Sequence, residues 1–350
     1  DSIWRVAGKD SIFWSKAGNT YKIKDSTGGG GSSGGGIGSF QDSVANVRDY
    51  GAVGDGVTDD GIAIKAAIAT GRTVYFPKGN YKTDSTLMPV VDKQVFYGDG
   101  SSSQLYTTQT TRAIIKIPLG IDSCTVQNLS FLGTSTSGSL PGFTNSSYQM
   151  GVWVNSIANK VRGCTFTKLV RGVYLFDGAV TPMENNIVSD CYFKVCYAGI
   201  ENDYGSDYGL YVDNQMYGCY AAIIEGGAGN QYYGNTVATY GHYGYYSRGG
   251  PLHSSMVNMS FNHNSYGITI PQGNLGLTIT NSNFWFSIID LGTVDTVKNI
   301  SFVNCVVAGT TINATRVTQS SMVGGYWYYG NTLTGSGLSY EQIGKNTYST

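Results

Sequence analysis

Three acidic residues, Glu201, Asp203 and Glu225, lie close to Arg248 in a chain of 350 residues in which only 13 % of positions are charged. Carboxylates gathered in this way suit glycosidic cleavage, in which one protonates the leaving oxygen while another attacks the sugar or activates water. Like charges about 4.8 Å apart on neighbouring strands also raise one of the two pKa values, the state a general acid needs. Glu225 is read as the acid, and Glu201 or Asp203 as the base or nucleophile. Tyr174 and Tyr246 bracket the group and offer flat apolar faces to a sugar. Arg248 could hold an acidic sugar, and Asp177, Asp207 and His242 could line the same groove.

What brings these residues together is a repeat. An apolar residue followed by a polar one and then usually Asn recurs from Val126 through Val161, Val188, Val212, Tyr233, Met256, Ile279 and Val297, at intervals that settle near twenty-two residues. Twelve residues after most of these heads a second short strand opens, at Val173, Ile200, Ile224, Tyr245 and Ile268. Short strands at a period in the twenties, with Gly and Asn at the bends, predict a solenoid whose units bury their apolar faces on one another. Without leucine at fixed spacing, the fold class is all-β, a right-handed parallel β-helix. Asn128, Asn214, Asn235, Asn258, Asn281 and Asn299 are expected to stack at one bend, because Asn tolerates left-handed backbone. One position after each second-strand head should face outward, which lines up Tyr174, Glu201, Glu225, Tyr246 and Thr269. Two positions further come Phe176, Asp203, Gly227 and Arg248. Asp290 and Asp295 lie lower down the same rod.

Composition agrees with many bends and few helices: Gly 49, Tyr 27 and Pro 7. A formal net charge of −1 gives no electrostatic footprint for nucleic acid or an anionic membrane. No run of eighteen apolar residues occurs, so no membrane insertion is expected, and the first thirty residues carry no signal-peptide pattern. The six cysteines form no metal-type pair, and His242, His253 and His263 have no metal-ligand spacing, so no metal or other cofactor is expected and the thiols should be free. No nucleophilic-serine or nucleotide-binding motif is present.

The chain divides into five stretches: a small aromatic-rich β module (1–27), a Gly/Ser linker (28–40), the opening of the β-helix with a capping helix (41–90), the parallel β-helix (91–330) and a polar tail (331–350). The capping helix follows Thr58, a good N-cap, and carries apolar residues at 62, 64, 66, 67 and 68. A cap of this kind protects the open end of a solenoid.

The string Tyr50-Gly-Ala-Val-Gly-Asp-Gly-Val-Thr-Asp-Asp60, then a helix, then Val74-Tyr-Phe-Pro-Lys-Gly-Asn-Tyr81, resembles the opening motif of the pectate-lyase-like β-helix superfamily. In that superfamily the motif carries no catalytic residue, which leaves Asp55, Asp59 and Asp60 structural. The small N-terminal module, the glycine linker and the abundant tyrosines most resemble a bacteriophage tailspike or tail appendage. That resemblance implies a homotrimeric virion tail protein, attached to other tail proteins through its N-terminal module. It would act extracellularly, as an endo-acting glycoside hydrolase that binds and cleaves bacterial surface polysaccharide. The clustered Asn-Thr-Asp, Gly-Asp-Asp and Gly-His-Gly of polygalacturonases is missing, Gly241-His242-Tyr243 being the nearest phrase.

Two other functions fit the same residues. The acidic cluster resembles that of pectate lyases, where carboxylates hold Ca²⁺ and a basic residue removes the proton next to a uronate. Glu201, Asp203, Asp207 and Glu225 would then begin a shell of six to eight oxygens. A non-catalytic spike would bind glycan through its tyrosines alone.

Overall fold

The computed structural model describes residues 44–134, 149–176, 183–203, 205–248, 253–273, 275–327, 331–335 and 338–341, together with the strands Ser2–Arg5, Ile12–Lys16 and Asn19–Lys24. The linker 28–40, the loop 135–148, Asp177 and residues 342–350 lie outside them. The three N-terminal strands pair antiparallel in the order of the chain. From Val44 onward the chain winds as a right-handed parallel β-helix of about eleven coils, as the repeat predicts.

Each full coil contributes one strand to each of three parallel sheets. The first contains Thr125–Gln127, Lys160–Arg162, Ile187–Ser189, Leu210–Val212 and their successors; the second contains Thr165–Thr167, Tyr192–Lys194, Gln215–Tyr217 and theirs. The third runs through Ala113–Ile117, Met150–Val154, Arg171–Leu175, Ala198–Asn202, Ala221–Glu225, Tyr243–Ser247, Tyr266–Ile270 and Ile288–Leu291. Equivalent side chains therefore stack along the rod. Phe131, Phe166 and Phe193 form one interior column with ring centroids 4.9 Å apart. Gly172 and Gly199 admit this column: a Cβ on Gly172 would lie 2.5 Å from Phe193 and 2.6 Å from the Gly199 carbonyl oxygen.

Left-handed residues turn the corners. Asn128, Asp190, Asp213, Asn258, Asn281 and Asn304, with Gly163 and Gly234, occupy the corner between the first and second sheets. Asn128, Asn258 and Asn281 meet the expectation, whereas Asn214 lies one residue later, its side chain bonded to the Cys191 N–H and the Val188 carbonyl. Asn235 likewise follows the left-handed Gly234, and Asn299 sits inside the Val297–Val303 strand. The next corner is occupied by Lys168, Val195, Tyr240, His263 and Phe286. Bulky side chains are uncommon in that conformation.

The repeat heads are corrected at three coils. Val188 pairs with Tyr211, Tyr211 with Tyr232, and Ile279 with Phe302, so these residues and not Val212, Tyr233 and Val297 are the interior heads. The helix Gly61–Ile68 buries Ile64, Ala67 and Ile68 and leaves Ile62 exposed. Its N-cap is Asp60 rather than Thr58. The Asp60 carboxylate instead accepts the Val53 and Gly54 N–H groups, which folds the Gly-rich loop under the cap. At the other end Thr332–Gly335 and Leu338–Glu341 extend the third and first sheets, so the stacking continues beyond residue 330. All six cysteines are buried and free, as expected.

Candidate functional site

In the third sheet Ile200 pairs with Ile223, Glu201 with Ile224, and Asn202 with Glu225. Glu225 is therefore one place out of step with Glu201, and because successive side chains on a strand alternate sides, the slip sends it into the rod. The expected stack of Glu225 on Glu201 is overturned. Behind the sheet, the Glu225 Oε1 accepts the Ser254 hydroxyl at 2.7 Å and the Asn230 amide at 3.0 Å, and Oε2 accepts the Tyr245 hydroxyl. Asn202 donates to the Tyr232 hydroxyl at 2.8 Å in the same interior layer. No basic residue reaches this carboxyl among the contacts above. Burial pushes its pKa up to about 7, against hydrogen bonds that pull it down. It has the protonation of a general acid but no access to a substrate.

The outer face of the third sheet holds a different group. Glu201 Oε2 meets Arg171 Nε at 2.7 Å and Oε1 meets an Arg248 guanidinium nitrogen at 2.8 Å. The other terminal nitrogen of Arg248 meets Asp203 at 2.9 Å. Arg171 also lies over the Tyr174 ring, 4.4 Å from its centroid. Glu201 is wholly buried beneath this network, whereas Asp203 and Arg248 keep 15 % and 21 % of their side chains in solvent. Arg248 reaches them across the intervening coil, where Gly226 takes the place that Asp203 and Arg248 hold in theirs. The absence of a side chain there leaves the path open.

Beside the charged group lies a second apolar cluster, separate from the interior. Tyr197, Ala198, Ala221 and Ile224 are buried in it, with Tyr220, Tyr243 and Tyr246 packed against them. Tyr197 stacks on Tyr220 at 4.9 Å, Tyr220 on His242 at 4.9 Å, and Tyr243 on Tyr266 at 5.4 Å. At the N-terminal end of the face the Lys116 ammonium sits 3.7 Å above Trp153, and burial lowers its pKa. The face is thus a strip of half-buried aromatic rings with charges set into it.

Of the residues expected at the site, the structure brings Tyr174, Glu201, Asp203, Tyr246 and Arg248 onto one face. Tyr174 is almost wholly buried, its hydroxyl 3.5 Å from Asp203. His242 stands at the corner, stacked on Tyr220, and burial lowers its pKa. Asp207 lies apart in the strand Ser206–Asp207, where it accepts the Ala228 N–H at 2.7 Å. The four carboxylates considered for Ca²⁺ do not converge: Glu225 is interior, Glu201 is held by guanidinium groups, and Asp207 is tied into its turn. Among the described residues no three His, Cys, Asp or Glu side chains come together to hold a cation. Arg171, Tyr197, Tyr220, Tyr243 and Tyr266 were not read from the sequence. Alternation counted back from Val173 and Ile200 would have turned Arg171 and Ala198 inward; Gly172 and Gly199 face the interior instead, which puts Arg171 and Ala198, register partners, on the outer face.

A family model described as "Rhamnogalacturonase A/epimerase, pectate lyase-like" matches residues 44–117. With the fold, it supports placement in the pectate-lyase-like superfamily. Mannuronan C5-epimerase AlgE6 of Azotobacter vinelandii is 51 % identical over 49 residues, which are 13 % of this chain and 6 % of the epimerase. AlgE1 of the same organism is 47 % identical over 55 residues, 14 % of this chain and 4 % of that protein. This chain therefore spans under a tenth of the length of these curated relatives. Among solved structures, DFA-IIIase from Arthrobacter chlorophenolicus A6 in complex with DFA-III superposes with a TM-score of 0.64 at 12 % identity, covering 84 % of each chain. That likeness shows the fold.

Proposed function

We propose that this chain binds and processes a polysaccharide laid along the outer face of the third sheet. The observation that carries the reading is the aromatic strip of Tyr220, Tyr243, Tyr246 and Tyr266, packed over the buried Tyr197 and ending at the partly open pair Asp203 and Arg248. Half-buried rings offer the apolar surface that sugar rings cover, and a guanidinium recognises carboxylate or phosphate substituents. The mannuronan epimerases matched over short stretches are named for a polysaccharide, which supports the same class of ligand. Hydrolysis is the finer reading. In it Asp203, the acidic side chain of the charged group that keeps contact with solvent, serves as the reacting carboxylate, and Glu201 holds Arg171 and Arg248 in place.

The tailspike reading extends this proposal. The aromatic module of residues 1–24 and the Gly/Ser linker support attachment of a rod to a larger particle, with action on bacterial surface polysaccharide outside the cell and a trimeric assembly of rods. A glycan-binding spike without catalysis is the second reading, favoured by the interior position of Glu225. Incubation with a panel of bacterial envelope polysaccharides, followed by gel filtration, separates them. The first reading expects shortened chains with the parent protein and none with Asp203→Asn, whereas binding of a polysaccharide that keeps its length supports the second. Absence of binding to every polysaccharide would refute both.

A further inference from the structure

Followed toward the N-terminus, the outer column that contains Glu201 runs through Tyr174 and Trp153 to Lys116 on successive coils. Lys116 differs in its partners from Arg171 and Arg248, the guanidinium groups of the same face, which both meet carboxylates. Among the described residues its ammonium meets no carboxylate and makes no hydrogen bond. The Nζ stands 3.7 Å above Trp153, whose indole is fixed in turn: its N–H donates to the Phe176 carbonyl at 2.8 Å, and its ring lies 6.2 Å from that of Tyr174. On the other side Ile115 bridges to Leu87, which exposed Met88 follows, so both neighbours of Lys116 are apolar. The side chain is partly buried, yet the Nζ keeps contact with solvent. Burial alone lowers its pKa, with no nearby charge to offset it.

A charge taken part-way out of water without a counter-charge is disfavoured, and the indole face offsets that cost from one side only. The remaining donors of the ammonium point to what arrives from solvent, and an anion completes them best. One unpaired positive charge matches the single negative charge of a carboxylate, whereas a phosphate monoester carries nearly two. We propose that Lys116, held over Trp153, forms a second acidic-sugar subsite, which pairs with the carboxylate of a uronate ring at the N-terminal end of the groove. It rests on the reading of this face as a polysaccharide groove. Arg248 is held against Glu201, three coils from Lys116, so the two cationic points stand about 14 Å apart along the rod. The occupant is therefore a polysaccharide in which acidic rings recur, and not one with a single acidic end.

The test titrates the full chain by calorimetry with a uronate oligosaccharide, its carboxyl-reduced neutral counterpart and a sulfated oligosaccharide, each at low and high salt. Lys116→Met removes the charge and keeps a stem over the indole, and Lys116→Arg returns the charge. Lys116→Met is expected to weaken uronate binding about ten-fold, the size of one lost charge-assisted contact, and to leave the neutral counterpart unchanged. The loss should shrink at high salt, and Lys116→Arg should restore most of it. Lys116→Met is also expected to melt no lower than the parent, because it removes a partly desolvated charge without a counter-charge, so weaker binding cannot be assigned to a damaged fold. Parent-like uronate binding by Lys116→Met would overturn the subsite and leave the groove standing, as would equal weakening of the neutral counterpart or a preference of the parent for the sulfated ligand. Failure of the parent to bind any of the three would overturn the groove itself and the subsite with it.

Discussion

The Tyr245 hydroxyl donates to the Glu225 carboxylate in the interior of the rod, where neither side chain reaches solvent. The folded-state pKa of about 7 exceeds the ordinary 4.5, so folding takes up a proton between these values. This contribution to stability is complete below pH 4.5 and is lost as pH rises toward 7, by about 3 kcal/mol at about 1.4 kcal/mol per unit. Thermal melts of Glu225→Gln from pH 4 to 9 should lack that part of the slope and should exceed the parent at pH 8. A variant that follows the parent curve throughout would show that Glu225 does not govern it.

Glu201→Gln should damage the fold before it informs on catalysis. Removing the buried anion leaves Arg171 and Arg248 facing one another without their shared counter-charge, at a cost of about 3–5 kcal/mol. Urea denaturation is the measurement. An unchanged midpoint would mean that the two guanidinium groups need no such partner.

Arg248→Lys separates charge from shape. An ammonium keeps the positive charge but cannot reach Glu201 and Asp203 from two nitrogens of one planar group. Binding of a uronate-containing oligosaccharide, read by titration calorimetry, should weaken about ten-fold relative to the parent. Equal affinity would show that charge alone suffices.

Gly172→Ala should be destabilising by about 2 kcal/mol, because its methyl would press on Phe193 and on backbone of the next coil. Val195→Asn should act in the opposite direction by about 1 kcal/mol, since Val195 holds φ 55° and Asn tolerates that conformation better. Melting temperatures of the two variants, measured side by side, check both signs.

Much of this architecture was legible because aliphatic heads such as Val126, Val161 and Val188 recur in an order only a stacked coil satisfies. The reading slipped at Tyr211 and Tyr232, where a tyrosine occupies the interior position and a neighbouring residue looks like the head. The Tyr232 phenol can be buried because it meets Asn202 in a polar layer that Glu225, Asn230 and Ser254 continue inside the rod. Nothing in local periodicity announces such a layer, since its members come from several coils. The one-residue error at Val212 carried through to Ile224 and turned Glu225 outward. Glu201 and Asp203 were placed on the correct face because their own coil has Val188 at its head. Arg171 escaped notice because it precedes the strand's alternating stretch, where Gly172 disturbs the pattern.

In a rod whose coils touch only their immediate neighbours, each interface can open independently and unwinding proceeds coil by coil. Arg248 departs from that rule by gripping Glu201 and Asp203 past the Gly226 coil. Three coils are thereby tied into a single cooperative block, and the middle one cannot fray outward while its neighbours remain closed. Pulled from its ends, the rod should yield in small steps except at this stretch, which gives way all at once. The segment on which polysaccharide is proposed to lie is thus the part of the rod best held to one length.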